Sequence, residues 1–353
     1  MFLTKIDLWL FLPSCLLIVL GTVVLSSVAP YIFPQYFLYI VLGLAMFFLF
    51  ANLDIDILRT LSPFLYIFSI LLLLITDVFG VLTRGSVRWI DLGFITLQPS
   101  ELVKPLLLVV FAGIVAQRWG LKRFLWVAAV CLLPVILIFA QPDLGSSIVV
   151  FAGFLGVVFI SGFPVWLFAL FGALSAIVSP LFWHVLADYQ KDRFLSFIAP
   201  SLDPLGRGYN SIQAMISVGA GGFWGRGLGQ GTQSHLAFLP ERHTDFIFAA
   251  LSEELGFFGG ILILGAFVII LTRLIVILQN SNDIFQASLV GGIFATIFVQ
   301  AGVNIGMNMG LLPITGIPLP FVSSGGSSLL AMAAILGLAS NVSLHARSHS
   351  GII

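Results

Sequence analysis

The sequence contains few charged residues and has no excess of either sign. Only 8% of the 353 residues are Asp, Glu, Lys or Arg, and 15 basic residues are balanced by 15 acidic ones. A nucleic-acid-binding protein needs a basic surface for the phosphates, so this balance argues against a nucleic-acid partner. The chain also lacks a Walker pattern and a strand-anchored dinucleotide fingerprint, which argues against a soluble nucleotide as ligand.

Cysteine is equally scarce. The chain has two cysteines, Cys15 and Cys131. Both lie inside apolar runs, where cysteine behaves as a small hydrophobic residue. We therefore expect neither a disulfide nor a metal site from them, and they carry no information on the redox compartment.

Hydrophobic residues dominate instead. They make up 59% of the chain, and Phe alone occurs 34 times. Apolar runs long enough to cross a bilayer as a helix recur about ten times. The first run is longer than the apolar core of a signal peptide, so we expect an uncleaved anchor. The predicted spans lie near 8–28, 36–53, 60–79, 101–117, 123–140, 145–161, 164–187, 246–278, 285–308 and 326–345.

These runs predict the fold class and its orientation. We expect an all-α polytopic membrane protein with about ten transmembrane helices, with residues 1–353 in a single transmembrane domain. An even number of spans puts both termini on one side, and the positive-inside rule makes that side cytoplasmic. A large extracytoplasmic loop, about 188–245, then separates helices 7 and 8. The basic residues of the cytoplasmic side are Lys5, Arg59, Arg118, Lys122, Arg123, Arg273 and Arg347, whereas the short outer loops hold Arg84 and Arg88.

Ionisable residues stand at the border between this loop and the eighth span. Residues 239–254 read Leu-Pro-Glu-Arg-His-Thr-Asp-Phe-Ile-Phe-Ala-Ala-Leu-Ser-Glu-Glu. Asp245 lies where the apolar helix begins, and a carboxylate at bilayer depth is costly without a function. The alternative is that Asp245 or Thr244 caps the helix N-terminus. Capping alone would leave Arg242 and His243 without a role.

An acidic pair follows within the same helix. Glu253 lies two turns beyond Asp245, and Glu254 points roughly the opposite way, so at most one of them can share the face of Asp245. We expect the pair to be structural and to bond to neighbouring helices.

Two other outer segments lead into spans with polar residues. Ser100 is predicted to cap the fourth span. Glu101 and Lys104 stand at i, i+3 and can neutralise each other. The pair is either an internal ion pair of a packed helix or the lining of a polar cavity that holds two helices in register. Asp143 is predicted to cap the sixth span.

The large outer loop is rich in glycine between residues 219 and 233. Such a run offers backbone N–H groups and tight turns that can approach a phosphate closely, although a flexible loop has the same composition. Arginines in and beside the loop can make bidentate contacts to a pyrophosphate. These arginines are Arg193, Arg207, Arg226 and Arg242.

The last outer segment, residues 304–328, contains prolines at 313, 318 and 320. They prevent a continuous helix. Broken backbone at this depth is stable only when it is buried in protein or lines a water-filled cavity. The serines that follow are candidates to cap the tenth span; they are Ser323, Ser324, Ser327 and Ser328.

Taken together, these segments resemble the SEDS family of cell-wall polymerases, the RodA/FtsW/SpoVE family, over nearly the whole chain. Residues 240–249 look closer to the RodA branch than to the FtsW branch. One departure is Ser324, where the family usually carries Tyr. The matching blocks are Arg88-Trp89, 98–101, 141–145, 203–206, Gly208-Tyr209, 231–234, 253–256, 316–320 and 325–327.

The resemblance implies a peptidoglycan glycosyltransferase that polymerises lipid II for cell-wall elongation. It would work in the bacterial inner membrane with a class B penicillin-binding protein as transpeptidase. Asp245 matches the family's catalytic aspartate and would act as general base on the attacking sugar hydroxyl. The four arginines, with or without a divalent cation such as Mg²⁺ or Mn²⁺, would hold the undecaprenyl pyrophosphate that leaves. Glu101, Lys104, His243 and Thr244 would shape the site.

Two other classes of function stay open on the sequence. A flippase for lipid II is one, because carriers also use buried charge and broken helices. A scaffold that only recruits and activates a transpeptidase is the other. The polar residues crowd one face, whereas alternating access needs a site near the midplane, and this distribution favours the polymerase.

Overall fold

A computed structural model describes residues 6–349, without 84–85, 92, 94, 116–120, 237 and 282 and without most of 165–187. The described chain is a helical bundle with one small sheet. The helices are α1 Leu8–Val28, α2 Phe33–Asn52, α3 Ile55–Phe79, α4 Pro99–Val115, α5 Leu121–Ala140, α6 Leu144–Ile160, α7 Asp188–Ile198, α8 Tyr209–Gly221, α9 Thr232–His235, α10 Ile247–Gln279, α11 Ile284–Asn308 and α12 Gly326–His349. The strands are β1 Val81–Thr83, β2 Ser86–Asp91 and β3 Thr96–Leu97, and short 3-10 helices lie at Pro30–Ile32 and Pro200–Leu202.

The apolar runs predicted the long helices well. Every predicted span except 164–187 overlaps one helix along most of its length, and 164–187 lies mostly outside the described residues. Within the described part of the chain, six helices are long and apolar enough to cross a membrane, and shorter apolar helices lie at Trp126–Ala140 and Leu144–Ile160. Aspartates cap helix starts, as Asp54 shows by accepting the N–H of Asp56 at 2.8 Å.

The small sheet is a departure from the all-α prediction. β1, β2 and β3 form one antiparallel meander between α3 and α4. Val87, Trp89 and Ile90 favour an extended chain because β-branched and aromatic residues fit a pleated surface. Tyr39 of α2 holds the sheet to the bundle, because its hydroxyl donates to the Thr96 carbonyl at 2.8 Å and accepts from the Thr96 N–H at 3.0 Å.

The core forms where helices pack closely. α12 lies along α2 and is the most deeply buried of the six long apolar helices described, with 94% of its most apolar 18-residue stretch inside the protein. α11 packs on α6 through glycines that let the two backbones approach. A Cβ on Gly156 would lie 2.5 Å from the Gly291 carbonyl oxygen, and a Cβ on Gly292 would lie 3.1 Å from the Gly153 carbonyl oxygen. Small residues at such seams are typical of membrane helices.

The polar residues divide between the two ends of the bundle. At one end, Asp7 caps α1 and accepts hydrogen bonds from Arg273 of α10 at 2.6 Å and from Ser343 of α12 at 2.5 Å. Arg59 and Asp283 form a half-exposed ion pair at 3.3 Å at the same end. The other end of the bundle holds Asp245, which precedes α10, and the broken segment, which precedes α12. Arg193 and Arg242 of the loop reach the same end, where they donate to the Thr315 and Val28 carbonyls.

α10 is kinked at Gly256, which has φ 66° and ψ −160°. Glycine is essentially the residue that adopts this conformation. The kink receives the glycine-rich loop: Phe257 N–H donates to the Gly222 carbonyl at 2.9 Å, and a Cβ on Gly256 would lie 2.2 Å from the Gly225 nitrogen. The loop is therefore packed backbone to backbone against the helix.

We expect Gly256→Ala to destabilise the protein by about 2 kcal/mol or more, because the new Cβ is strained at positive φ and clashes with the loop backbone. The matched control is Gly265→Ala in the same helix, where a Cβ meets nothing within 4 Å. That change is expected to be neutral or to stabilise by up to about 1 kcal/mol. Thermal unfolding of the purified variants measures both, and equal melting temperatures would contradict the role of the kink.

Candidate functional site

The residues before α10 form a turn and not a helix cap. α10 begins at Ile247, and Phe246 at the N-cap position makes no side-chain capping bond. Glu241, at φ 51°, accepts the N–H groups of Thr244 and Phe246 through its carbonyl at 3.1 and 3.2 Å. The Thr244 hydroxyl donates to the Glu241 carboxylate at 2.9 Å. The alternative in which Asp245 or Thr244 stands at the N-cap position is therefore wrong, because α10 begins only after both residues and the Ala249 N–H donates to Asn308 instead of the Asp245 carbonyl.

Serines of the last outer segment bind the backbone of this turn. The His243 carbonyl accepts from the Ser324 N–H at 3.0 Å and from the Ser324 hydroxyl at 2.7 Å. The Thr244 carbonyl accepts from the Ser323 hydroxyl at 2.7 Å. Neither serine caps α12, which begins at Gly326. The capping interpretation of these two residues is wrong, because their hydroxyls are engaged by the turn.

Two asparagines of α11 bind the carbonyl of Asp245, the next residue of the motif. The Asp245 carbonyl accepts from the side-chain amides of Asn304 and Asn308, each at 3.0 Å. Asn304 also donates to the Ile317 carbonyl at 2.7 Å. Successive carbonyls of the His-Thr-Asp motif are thus each held by a side chain, which orients the Asp245 backbone with respect to the last outer segment.

Asp245 and Arg193 face the same point of that segment. A Cβ on Gly316 would lie 3.6 Å from Asp245 Oδ2 and 3.8 Å from Arg193 Nη1. Arg193 lies on α7 and donates from Nη1 to the Thr315 carbonyl at 3.0 Å. Both side chains are partly exposed. Gly316 has no side chain to fill this space, so an acidic and a basic group border one accessible place.

The other predicted arginines bind their own surroundings. Arg207 pairs with Asp192 at 2.8 Å on the surface. Arg226 donates from Nε to the Ala220 carbonyl at 3.1 Å and is exposed. Arg242 donates from Nε to the Val28 carbonyl at the end of α1, at 3.2 Å. Among the contacts described for the four arginines, those of Arg193 lie next to the Asp245 carboxylate.

His243 is placed by an aromatic neighbour. Its ring lies 6.4 Å from the ring of Tyr31, in an edge-to-face arrangement. Tyr31 belongs to the connection between α1 and α2, so the motif contacts the N-terminal part of the bundle as well as the last outer segment.

The acidic pair of α10 binds the glycine-rich loop. Glu253 and Glu254 are buried, and their carboxylates and carbonyls accept backbone N–H groups of this loop. This confirms a structural role: the partners are the loop, the short helix α9 that follows it, and Ser27 of α1, which donates to Glu254 at 2.5 Å. The N–H donors, with their distances, are Arg226 2.9 Å, Gly227 3.0 Å, Gly229 3.1 Å, Gln233 2.9 Å and Ser234 2.9 Å.

These bonds contradict the expectation of a phosphate-binding loop for five N–H groups between residues 226 and 234. The N–H groups of the loop that bind the acidic pair are already occupied by protein acceptors. A buried carboxylate needs such donors, and it outcompetes a ligand for them because it is permanently in place.

Glu101 and Lys104 form the predicted ion pair, at 2.6 Å, with both side chains 2% exposed. The pair is connected to the last outer segment through α11. Lys104 donates to Gln300 at 3.3 Å, and Gln300 donates to the Pro318 carbonyl and the Ser328 hydroxyl, each at 3.1 Å. The pair therefore lies beneath the segment that carries Gly316 and supports it.

Asp143 caps α6 as predicted, accepting the Ser146 N–H at 3.1 Å. Its other oxygen accepts from Gln98 at 2.7 Å and from Ser100 at 2.9 Å. Ser100 therefore does not cap α4, which already begins at Pro99. That prediction is wrong because the carboxylate of a neighbouring helix takes the serine hydroxyl.

The chain is similar in sequence to known proteins. The family model for FtsW, RodA and SpoVE, described as cell cycle protein, matches residues 2–348. The chain belongs to this family. Peptidoglycan glycosyltransferase MrdB of Escherichia coli strain K12 is 40% identical over 310 residues, which covers 87% of this chain and 84% of that protein. Stage V sporulation protein E of Bacillus subtilis is 36% identical over 363 residues, with 98% of each chain covered.

Solved structures share the fold of this FtsW/RodA/SpoVE member. The rod shape determining protein RodA of Thermus thermophilus has a TM-score of 0.72 at 29% identity over 96% of each chain. A chain of a peptidoglycan synthase complex, whose structure is described as coordinating polymerization and crosslinking, has a TM-score of 0.82 at 33% identity. It covers 98% of this chain and 99% of that one. The protein is a multi-pass membrane protein of the RodA fold.

Among the residues that the structure describes, the protein does not by itself supply a complete ligand set for a divalent cation. A protein-only site would gather several carboxylate or imidazole ligands. Across the described ranges, no group of three or more His, Cys, Asp or Glu side chains is arranged to hold a metal ion.

Asn304, Asn308 and Gln300 are site residues that sequence reasoning did not assign. They lie at i, i+4 and i+8 along α11 and therefore on one helix face. Side-chain amides in an otherwise apolar span, repeated at this spacing, are the signal that could have found them, because a buried amide needs a partner.

Proposed function

We propose that the chain is a peptidoglycan glycosyltransferase that polymerises lipid II, with Asp245 as general base. The observation that carries this proposal is the convergence of the Asp245 carboxylate and the Arg193 guanidinium on Gly316. The family includes peptidoglycan glycosyltransferase MrdB. An acidic and a basic group beside one accessible position match the glycosyl transfer that this name describes.

The chemistry needs one base and one positive group. The 4-hydroxyl oxygen of a lipid-linked disaccharide attacks the anomeric carbon of the growing glycan, and Asp245 takes the hydroxyl proton. The new glycosidic bond forms as the bond from that carbon to the undecaprenyl pyrophosphate breaks, and the electron pair leaves with the pyrophosphate. This anion is stable, so the second carboxylic acid that most glycosidases use is not required.

Arg193 is proposed to bind the departing pyrophosphate. A guanidinium suits a phosphate because it offers several N–H donors in one plane. One donor of Arg193 is engaged by the Thr315 carbonyl, which fixes the group beside Asp245. Arg207, Arg226 and Arg242 are proposed to add positive charge at the same end of the bundle, and His243 and Thr244 to shape the site. Glu101 and Lys104 support the segment from below and take no part in proton transfer.

Position in the membrane and partner belong to the same proposal. We propose a bacterial inner-membrane location, cytoplasmic termini, an extracytoplasmic site, and one transmembrane domain over residues 1–353 with 188–245 as its outer loop. A class B penicillin-binding protein is the proposed partner, within the elongation machinery. The related synthase complex that coordinates polymerization and crosslinking and the related rod shape determining protein support this.

We expect Arg193→Ala to lower the turnover of lipid II about 10- to 100-fold, because a charge-assisted contact to the leaving group is lost. Arg193→Lys should keep part of the activity. The control is Arg59→Ala at the opposite end of the bundle, which removes an equally long cation from a half-exposed ion pair. Polymer yield per minute measures all three, and equal losses in Arg193→Ala and Arg59→Ala would argue against a role in the site.

Reconstitution with lipid II tests the proposed function. The purified chain, alone and with its transpeptidase partner, is given lipid II in liposomes, and the products are analysed for glycan strands and for translocated lipid. We expect strands from the pair and none from the partner alone. Translocation without strands would favour a flippase, and stimulated crosslinking without new strands would favour a scaffold.

A further inference from the structure

We propose that the Asn308 side chain is a positioning residue that holds Asp245 outside α10 by taking the place of a helical hydrogen bond. The inference rests on the proposed function of Asp245. It concerns the residue that sets the direction of the carboxylate, and Asn308 itself makes no contact with substrate in this account.

The geometry at Asn308 is that of an inserted amide. In a regular α-helix the N–H of Ala249 would donate to the carbonyl four residues earlier, which is that of Asp245. Instead, the Ala249 N–H donates to Asn308 Oδ1 at 3.1 Å, and Asn308 Nδ2 donates to the Asp245 carbonyl at 3.0 Å. A side-chain amide has an acceptor and a donor at its end, so it can satisfy both peptide groups at once.

The inserted amide decides where the helix begins. The next helical bond does form, because the Ala250 N–H donates to the Phe246 carbonyl at 3.1 Å. If Asp245 and Ala249 were bonded directly, Asp245 would become the N-cap of α10. Asn308 therefore fixes the Asp245 backbone ahead of the first helical turn, and with it the direction in which the carboxylate leaves the chain.

The position of Asn308 is itself fixed. Asn308 and Asn304 are both fully buried. Asn308 Nδ2 also donates to the Asn304 carbonyl at 2.8 Å. Asn304 in turn donates to Ile317, beside Gly316, at 2.7 Å. The Asp245 backbone is thus tied through α11 to the segment that Arg193 contacts, so a change at Asn308 should alter the geometry between base and leaving group.

The test uses Asn308→Leu and Asn308→Ser in the complete chain with its partner. Leucine has a similar size and no polar group, whereas serine cannot span the gap and leaves room for a water molecule, which limits the cost to folding. Asn341→Leu is the matched control, because Asn341 is also buried in a helix and donates to backbone carbonyls, those of Phe50 and Leu53, at the other end of the bundle. Values of kcat and KM for lipid II are determined per folded molecule.

We expect both Asn308 variants to lower kcat, by on the order of 100-fold, with KM little changed, since misplacing a reacting group costs this much. Asn341→Leu should lose thermal stability and keep its kcat. Native kcat in a folded Asn308→Ser or Asn308→Leu protein overturns the proposal, as does a change in KM alone. Asp245→Asn in the same assay tests the proposed base separately. If Asp245→Asn is inactive while Asn308→Leu is fully active, only the positioning role of Asn308 fails. If Asp245→Asn is fully active, the proposed base and the role of Asn308 fail together.

Discussion

Replacing Asp245 by asparagine is expected to lower the rate of lipid II polymerisation about 100- to 10,000-fold, the range that a positioned general base contributes. Asparagine has nearly the same shape and cannot accept the hydroxyl proton. The backbone bonds to the Asp245 carbonyl do not involve the substituted group, so the turn should survive. The turnover of purified variants in complex with the partner measures the effect, and lipid II binding should be retained.

The matched control is Asp283→Asn. Asp283 is a half-exposed aspartate that pairs with Arg59 at the other end of the bundle. Exposed pairs contribute little, so its turnover should stay within about twofold of the native rate. If Asp245→Asn polymerised lipid II as fast as Asp283→Asn, a role for this carboxylate as base would be untenable.

Removing the positive partner of Glu101 is expected to have the largest effect on stability. Lys104→Met should destabilise the protein by about 3–5 kcal/mol, because it leaves a buried carboxylate without its ion pair. Both side chains are 2% exposed, and one carboxylate oxygen of Glu101 has no hydrogen-bond partner among the described residues. Loss of the bond to Gln300 also weakens the support of the last outer segment. Thermal unfolding in detergent gives the change.

The double variant Glu101→Leu/Lys104→Met removes both charges, so it separates the contribution of the ion pair from the cost of leaving one charge unpaired. Replacing a whole buried pair by apolar residues is often close to neutral, so the double variant should recover much of the loss. Arg59→Met breaks a pair whose side chains are 41% and 39% exposed and should cost no more than about 1 kcal/mol. A double variant that is less stable than Lys104→Met would show that the charges stabilise the fold in their own right.

The long helices were predictable because a single local property sets them. A run of apolar residues of bilayer length has to form its backbone hydrogen bonds internally, so length and hydropathy suffice. The strand Ser86–Asp91 was not predicted, since its partners β1 and β3 come from turns whose pairing depends on contacts with Tyr39 of α2. Short strands have little signal of their own.

The charged residues of the candidate site could be proposed from the sequence, whereas the residues that hold them could not. A carboxylate at a membrane border is costly, which makes Asp245 a candidate from the sequence alone. Whether it caps a helix depends on Asn308, which lies 63 residues further along the chain. In the same way Ser100 and Ser324 are good capping residues by type, and each instead binds a group brought to it by the packing of other helices. Local preference is a weak guide where a tertiary partner competes for the same hydroxyl.

The backbone N–H groups of the glycine-rich loop are subject to the same competition between local preference and tertiary partners. Its composition suits a phosphate-binding turn, yet Glu253 and Glu254 occupy its N–H groups. Glycines at 225 and 256 are required there by close backbone contact and positive φ. The motif Glu-Glu-Leu-Gly thus folds the loop against α10, and in the proposed mechanism the diphosphate is bound by side chains such as Arg193.

The most direct test of the base is the rate of glycosidic bond formation in a single turnover, with donor and acceptor lipids already bound to the native protein and to Asp245→Asn. Both proteins are expected to hold the same amount of lipid, and the variant is expected to form the bond at least about 100-fold more slowly. Equal single-turnover rates would contradict a role for Asp245 as general base.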